Sequence, residues 1–170
     1  MAEDRLPEPW LRGTLSDVPA VPRGALHALE LAKEDVQRWC GRLTDAQLNA
    51  RPGGIAPVAF HLRHIARSID RLLTYAEGGR LNDEQTAALK SEMDAGATRG
   101  ELFAELDAAL ESAAARIRAI DASRLEEPRN VGKRNLPTTL GGLLVHVADH
   151  TQRHVGQAIT TAKIVKAGAV

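Results

Sequence analysis

Cysteine is almost missing from this chain. Cys40 stands alone, so no internal disulfide framework can staple the fold, and a lone thiol suits a reducing compartment. An excess of either charge is missing too. The 22 basic and 22 acidic residues are mixed throughout and cancel, which removes the field that gathers nucleic acid or an anionic membrane surface. No apolar run approaches the roughly 20 residues that span a bilayer, and the acidic, proline-bearing N-terminus has no apolar signal core. The expectation is a cytoplasmic protein that binds neither nucleic acid nor membrane. What the chain does have is 44% hydrophobic content over 170 residues, enough for one sizeable core and a single domain.

Residues 1–23 carry Pro7, Pro9, Pro19 and Pro22, which fix backbone angles and remove donors, so this stretch is expected to be an extended arm. Trp10 and Leu11 within it predict contact with something apolar, either the chain's own bundle or a second subunit. The domain proper is expected over 24–166. From Gly24 to Gly41, Ala25, Leu26, Leu29, Ala32, Val36, Trp39 and Cys40 recur at helical spacing. Cys40 falls on that apolar stripe and reads as a buried structural thiol, whereas His27 lies about 160° from Leu29 and reads as exposed. Thr44-Asp-Ala-Gln47 has capping-box spacing and predicts one helical turn before Arg51-Pro52-Gly53-Gly54 breaks the chain. A second long helix is expected from Pro57 to Gly78-Gly79, with its stripe at Val58, Leu62, Ile65, Ile69, Leu72, Leu73 and Ala76.

Leu81 to Met93 predicts a short helix inside a long connection, and Thr98-Arg-Gly-Glu101 is a second capping box. It opens a third helix through Leu102, Phe103, Leu106, Leu110, Ile117 and Ile120. Residues 121–137 hold three glycine or proline breaks around Arg129, Lys133 and Arg134 and read as a loop with a basic middle, which solvates its cations or receives the anionic end of a substrate. A fourth helix is capped by Thr138 or Thr139 and runs to about Lys166. With no convincing strand pattern, the fold class is all-α, a four-helix bundle whose long connections leave its topology open.

Three of the six histidines, His146, His150 and His154, repeat every four residues along the last helix. That spacing puts neighbouring imidazoles about 40° apart around the axis and about 6 Å apart along it, close enough to share one metal ion. The wheel prefers His150 with His154. A site needs a further ligand, and the other tight pair is His61-Leu-Arg-His64. There the wheel favours His61, about 60° from the centre of the apolar stripe, over His64 at about 120°. Gly156 leaves room beside the pair, and Gln157 could orient an imidazole or a water. Asp70 and Asp149 adjoin the motifs but point elsewhere on their helices, as surface or supporting groups. No acid stands in a His-Glu-x-x-His frame, which weakens a protease-like reading.

The runs Phe60-His-Leu-Arg-His64-Ile65-Ala66-Arg67 and His146-Val-Ala-Asp-His150-Thr-Gln-Arg-His154-Val-Gly156-Gln157 resemble the two motifs of the DinB/YfiT-like superfamily. The resemblance spans the chain from its first helix onward. It implies a four-helix bundle, commonly dimeric, with one histidine of the second helix and a His-x3-His pair of the last around a divalent metal, often zinc or nickel. Carried over by motif, the ligands are His64, His150 and His154, with His61 and His146 as rivals. The implied chemistry is activation of a thiol or a water. Relatives include S-transferases that use mycothiol, bacillithiol or glutathione, and a mycothiol-dependent isomerase. The implied partners are a second copy of the chain, a small electrophile and a low-molecular-weight thiol. The competing expectation is a non-catalytic dimeric bundle whose metal is structural or absent.

Overall fold

A computed structural model describes residues 6–168. Four long helices, α1 (Ala20–Cys40), α3 (Val58–Ala76), α5 (Arg99–Arg118) and α6 (Leu140–Lys166), form the bundle. The short α2 (Asp45–Asn49) and α4 (Asp83–Lys90) sit in its connections. Capping boxes start α2 and α5 where the sequence places them: Thr44 and Gln47 exchange hydrogen bonds at α2, as do Thr98 and Glu101 at α5. Of the two candidate caps for α6, Thr139 is the one used, its hydroxyl accepting from the Gly142 amide at 3.0 Å. Gly142 has to be small, because a Cβ there would stand 2.8 Å from Thr138 Oγ1 and 3.2 Å from Thr139 Oγ1.

Helix α6 packs between α1 and α3, and α5 closes the other side against the same two helices. Chain order therefore does not follow spatial order: α5 hands over to α6 across the bundle, not to a neighbour, which a long connection makes possible. The apolar stripes meet in one core that includes Leu62, Ile65, Leu73, Ile117, Leu144 and Val147, each fully buried. Cys40 belongs to it, at 0% exposure. Burial pushes its thiol up to about 11 and nearby Lys166 offsets that only in part, so it is inert as a nucleophile.

Three expectations need correction. Helix α1 starts at Ala20, not Gly24, and takes Pro22 into its first turn, where a missing N–H costs no intrahelical bond. His27 is buried at 7% exposure, not solvent-facing. The arm folds back over that face of α1, Thr14 Oγ1 meets His27 Nε2 at 3.1 Å, and Arg12 pairs with Glu30 and Glu34. A helical wheel cannot show cover that comes from outside the helix. The third correction is the basic loop, which contains a hairpin: β1 (Pro128–Val131) pairs antiparallel with β2 (Leu136–Thr139) in register Asn130↔Pro137. Its prolines read as breakers, yet a two-stranded ribbon has only edge strands, and edges tolerate proline. Trp10 stays 63% exposed, its indole N–H donating to Glu8, so the chain's own bundle does not cover it.

Candidate metal centre

The fold brings one face of α3 against one face of α6, and the histidines of both helices meet along that seam. One ligand nitrogen from each of His64, His150 and His154 lies within 4.8 Å of the others, a grouping that could hold a metal ion. His64 and His150 approach most directly, Nε2 to Nε2 at 3.3 Å. Two imidazole nitrogens on one tetrahedral zinc stand about 3.4 Å apart, given bonds of about 2.0–2.1 Å, so this pair already has the required spacing.

The other nitrogen of each ring has a partner of its own. His64 Nδ1 lies 2.7 Å from Glu92 Oε2, and a carboxylate only accepts, so this nitrogen carries a proton and Nε2 is the atom left to face the cluster. Ser68 gives its own hydroxyl proton to the Ile65 carbonyl and so accepts at 3.4 Å from His150 Nδ1. His154 Nδ1 meets His61 Nδ1 at 3.1 Å. His64 and His150 thus place Nδ1 against a partner and turn Nε2 toward each other, and His154 adds one ring nitrogen to the same grouping. Three imidazole nitrogens that converge in this way are a donor set that fits a divalent metal.

Burial, first, and the neighbouring imidazoles, second, push His61, His150 and His154 each down to about 4. They are neutral at pH 7, the form that ligates metal. His61 is 5% exposed and sits behind His154, away from the convergence of the three. It lies further inward than His64, as the helical wheel suggests. His146 stands on the flank, 5.3 Å ring to ring from His150, with Nδ1 on Asp149 at 2.9 Å. Asp149 also takes Arg153, and Asp70 takes Arg116 and Gln85, so both acids are surface partners. Phe60 stacks on the His64 ring at 5.3 Å and covers one side of it.

Glu92 escapes a reading of the sequence. It is 4% exposed and lies in the turn after α4, where no periodicity marks it as inward. Burial raises its pKa, but hydrogen bonds from His64 and from Arg71, at 2.8 Å, outweigh this and hold the carboxyl below its usual range. Such a carboxylate behind a ligating imidazole fixes the ring and raises its basicity. Arg71, buried on α3 two turns beyond His64, is the counter-charge that lets Glu92 stay ionised there. Gly156 faces open space, as its spacing suggested, whereas Gln157 makes no hydrogen bond to an imidazole among the described residues.

Fold and cluster together define a four-helix bundle carrying a histidine-rich site that could bind metal. The chain belongs to the DinB superfamily, whose family model matches residues 28–158. A conserved protein from Enterococcus faecalis shares the fold with a TM-score of 0.71 at 20% identity, over 88% of this chain and 99% of that one. YfiT from Bacillus subtilis, described as a probable metal-dependent hydrolase with an unusual four-helix bundle topology, superposes with a TM-score of 0.64 at 18% identity, over 84% and 86% of the two chains. At such identities the likeness is one of fold. No curated protein matches the chain.

Proposed function

We propose that this chain is a metal-dependent enzyme in which His64, His150 and His154 hold a divalent cation, zinc or nickel, with a coordination position left for a reactant. The observation that supports this most is the convergence of one ring nitrogen from each of three histidines to within 4.8 Å, with Glu92 seated behind His64. A cation held there supplies Lewis acidity, drawing the pKa of a water or thiol toward neutrality so that it can attack a small electrophile. Glu92, Ser68 and His61 keep the three rings in place, and Arg71 keeps Glu92 charged.

Between the two nucleophiles, a thiol suits these surroundings better. A lowered pKa would let either nucleophile shed its proton to solvent, but hydrolysis gains further from a carboxylate that passes a proton to the leaving group, and both oxygens of Glu92 are already engaged by His64 and Arg71. S-transfer from a low-molecular-weight thiol to an electrophile is therefore the reading preferred, with a second copy of the chain as its structural partner. Hydrolysis is the second reading, favoured by the description of YfiT. A closed structural site would need a fourth protein ligand. His61 is poorly placed to be one, because its Nδ1 is taken up by His154.

Elemental analysis of protein purified without an affinity tag is expected to find near-stoichiometric zinc or nickel. The His64→Ala, His150→Ala and His154→Ala variants are expected to lose it, while His146→Ala keeps it. Full retention in all three ligand variants would overturn the assignment. A panel of thiols with an electrophile, run before and after metal removal, tests the chemistry; turnover indifferent to removal would count against it.

A further inference from the structure

The hairpin leans over the C-terminal end of α3 and, with the turn that follows α3 and the first turns of α4, encloses a cavity of about 650 Å³. Arg80, Arg129 and Lys133 line it, together with Tyr75, Asn130 and Asn135, and no acidic residue does. That is a local departure from a chain in which acids and bases are equal in number. Arg129 has a structural task, donating to the Ala76 carbonyl at 2.6 Å and to Glu127 at 3.0 Å. The first of these bonds also occupies a carbonyl at the negative end of α3, which would otherwise oppose an anion. Arg80 and Lys133 make no hydrogen bond or ion pair among the described residues. Other guanidinium groups are answered, Arg12 by Glu30 and Glu34, Arg67 by Glu105, and Arg116 by Asp70 and Glu77, and what sets Arg80 apart from the other exposed arginines is its place beside Lys133 on an acid-free cavity.

Lys133 owes its position to the hairpin. Pairing of Val131 with Leu136 leaves a four-residue turn whose ends, Gly132 and Asn135, take left-handed backbone angles of +70° and +48°. Lys133 is thereby held on the rim of the cavity that Arg80 borders from α3's side.

We propose that this cavity binds a compact polyanion, a small molecule carrying at least two phosphate or carboxylate groups, at a site separate from the histidine cluster. Arg80 offers a planar fork for one anionic group and Lys133 a point charge for another, while the amides of Asn130 and Asn135 and the Tyr75 hydroxyl supply neutral donors. The two sites are far apart. Tyr75 follows His64 by eleven residues on α3, about 16 Å along the axis, and the start of α6 precedes His150 by ten, about 15 Å. A ligand of that compact class cannot touch both.

Calorimetric titration of the metal-free full chain tests this, since without metal the histidines cannot contribute by chelation to the probe. Pyrophosphate and citrate are the two probes, and the tighter of them distinguishes phosphate from carboxylate recognition. At least one is expected to bind saturably at one site. The Arg80→Ser/Lys133→Ser double variant should weaken it roughly 10- to 100-fold, the scale of one or two charge-assisted hydrogen bonds. Lys133→Glu should abolish it, and His64→Ala should leave it unchanged. Both cations are exposed, and circular dichroism of the variants is expected to match the parent. The proposal is overturned if neither probe saturates, if the double variant binds as tightly as the parent, or if His64→Ala removes binding.

Discussion

The histidine seam and the hairpin end are both polar places in one bundle, yet they are built on opposite principles. In the seam, rings from α3 and α6 are drawn out of water and hydrogen-bonded to Glu92, Ser68 and His61. At the hairpin end, Arg80 and Lys133 are exposed and without partners among the described residues. The difference follows from what surrounds each. The seam runs along the core, where an unpaired polar group is expensive, whereas the hairpin stands clear of it, where water can hydrate a cation at no cost to folding. Polar groups in the seam are therefore structural as well as chemical, whereas Arg80 and Lys133 at the hairpin end can be replaced at little cost to the fold.

The largest contrast should appear in stability. Leu144→Ala, on α6 and at 0% exposure, is expected to destabilise by about 2–5 kcal/mol, while Lys133→Ser stays within about 0.5 kcal/mol. Urea denaturation of both variants measures the gap, and equal effects would break the distinction. Next in size is Glu92→Gln. Removing the charged acceptor behind His64 should weaken zinc binding by about 10- to 100-fold, and Glu92→Asp should restore part of it, as read by competition with a metallochromic chelator. No such loss is expected from Arg80→Ser.

A pH series on the metal-free protein is expected to have a smaller effect. His61, His150 and His154 titrate near 4 in the folded chain and near 6.5 when unfolded, so between those values the unfolded state binds more protons. Their contribution to stability is complete above about pH 6.5 and is lost as pH falls toward 4. The Tm should be flat with pH above 6.5 and fall below it, and His150→Gln should reduce that slope while Lys133→Ser leaves it unchanged. The smallest effect is expected at Thr151, whose buried hydroxyl has no hydrogen-bond partner among the described residues. Thr151→Val keeps the shape and removes the unsatisfied group, and should leave stability unchanged or raise it by up to about 1 kcal/mol in a thermal melt.

Much of this molecule can be read from local pattern. The stripes of α1, α3, α5 and α6, the Thr44 and Thr98 caps, the buried Cys40 and the spacing of His150 and His154 are all short-range features, set by 3.6-residue periodicity and by side chains reaching their own backbone. His27 and the hairpin were misread for a shared reason. What buries His27 is the arm, and what stabilises Pro128–Thr139 is one strand pairing with the other, so neither outcome is written in the segment itself.

By itself the sequence determined which apolar residues turn inward along each helix, where α2 and α5 begin, and that imidazoles would recur on one face of α6. Tertiary structure alone decided that α3 would lie beside α6, that His61 would support His154 from behind, and that Glu92 would arrive from an irregular turn to orient His64. The physical reason is range. Helical periodicity acts over a few residues, whereas Glu92 meets its histidine across 28 positions and His64 meets His150 across 86, distances that only packing of the whole core can close.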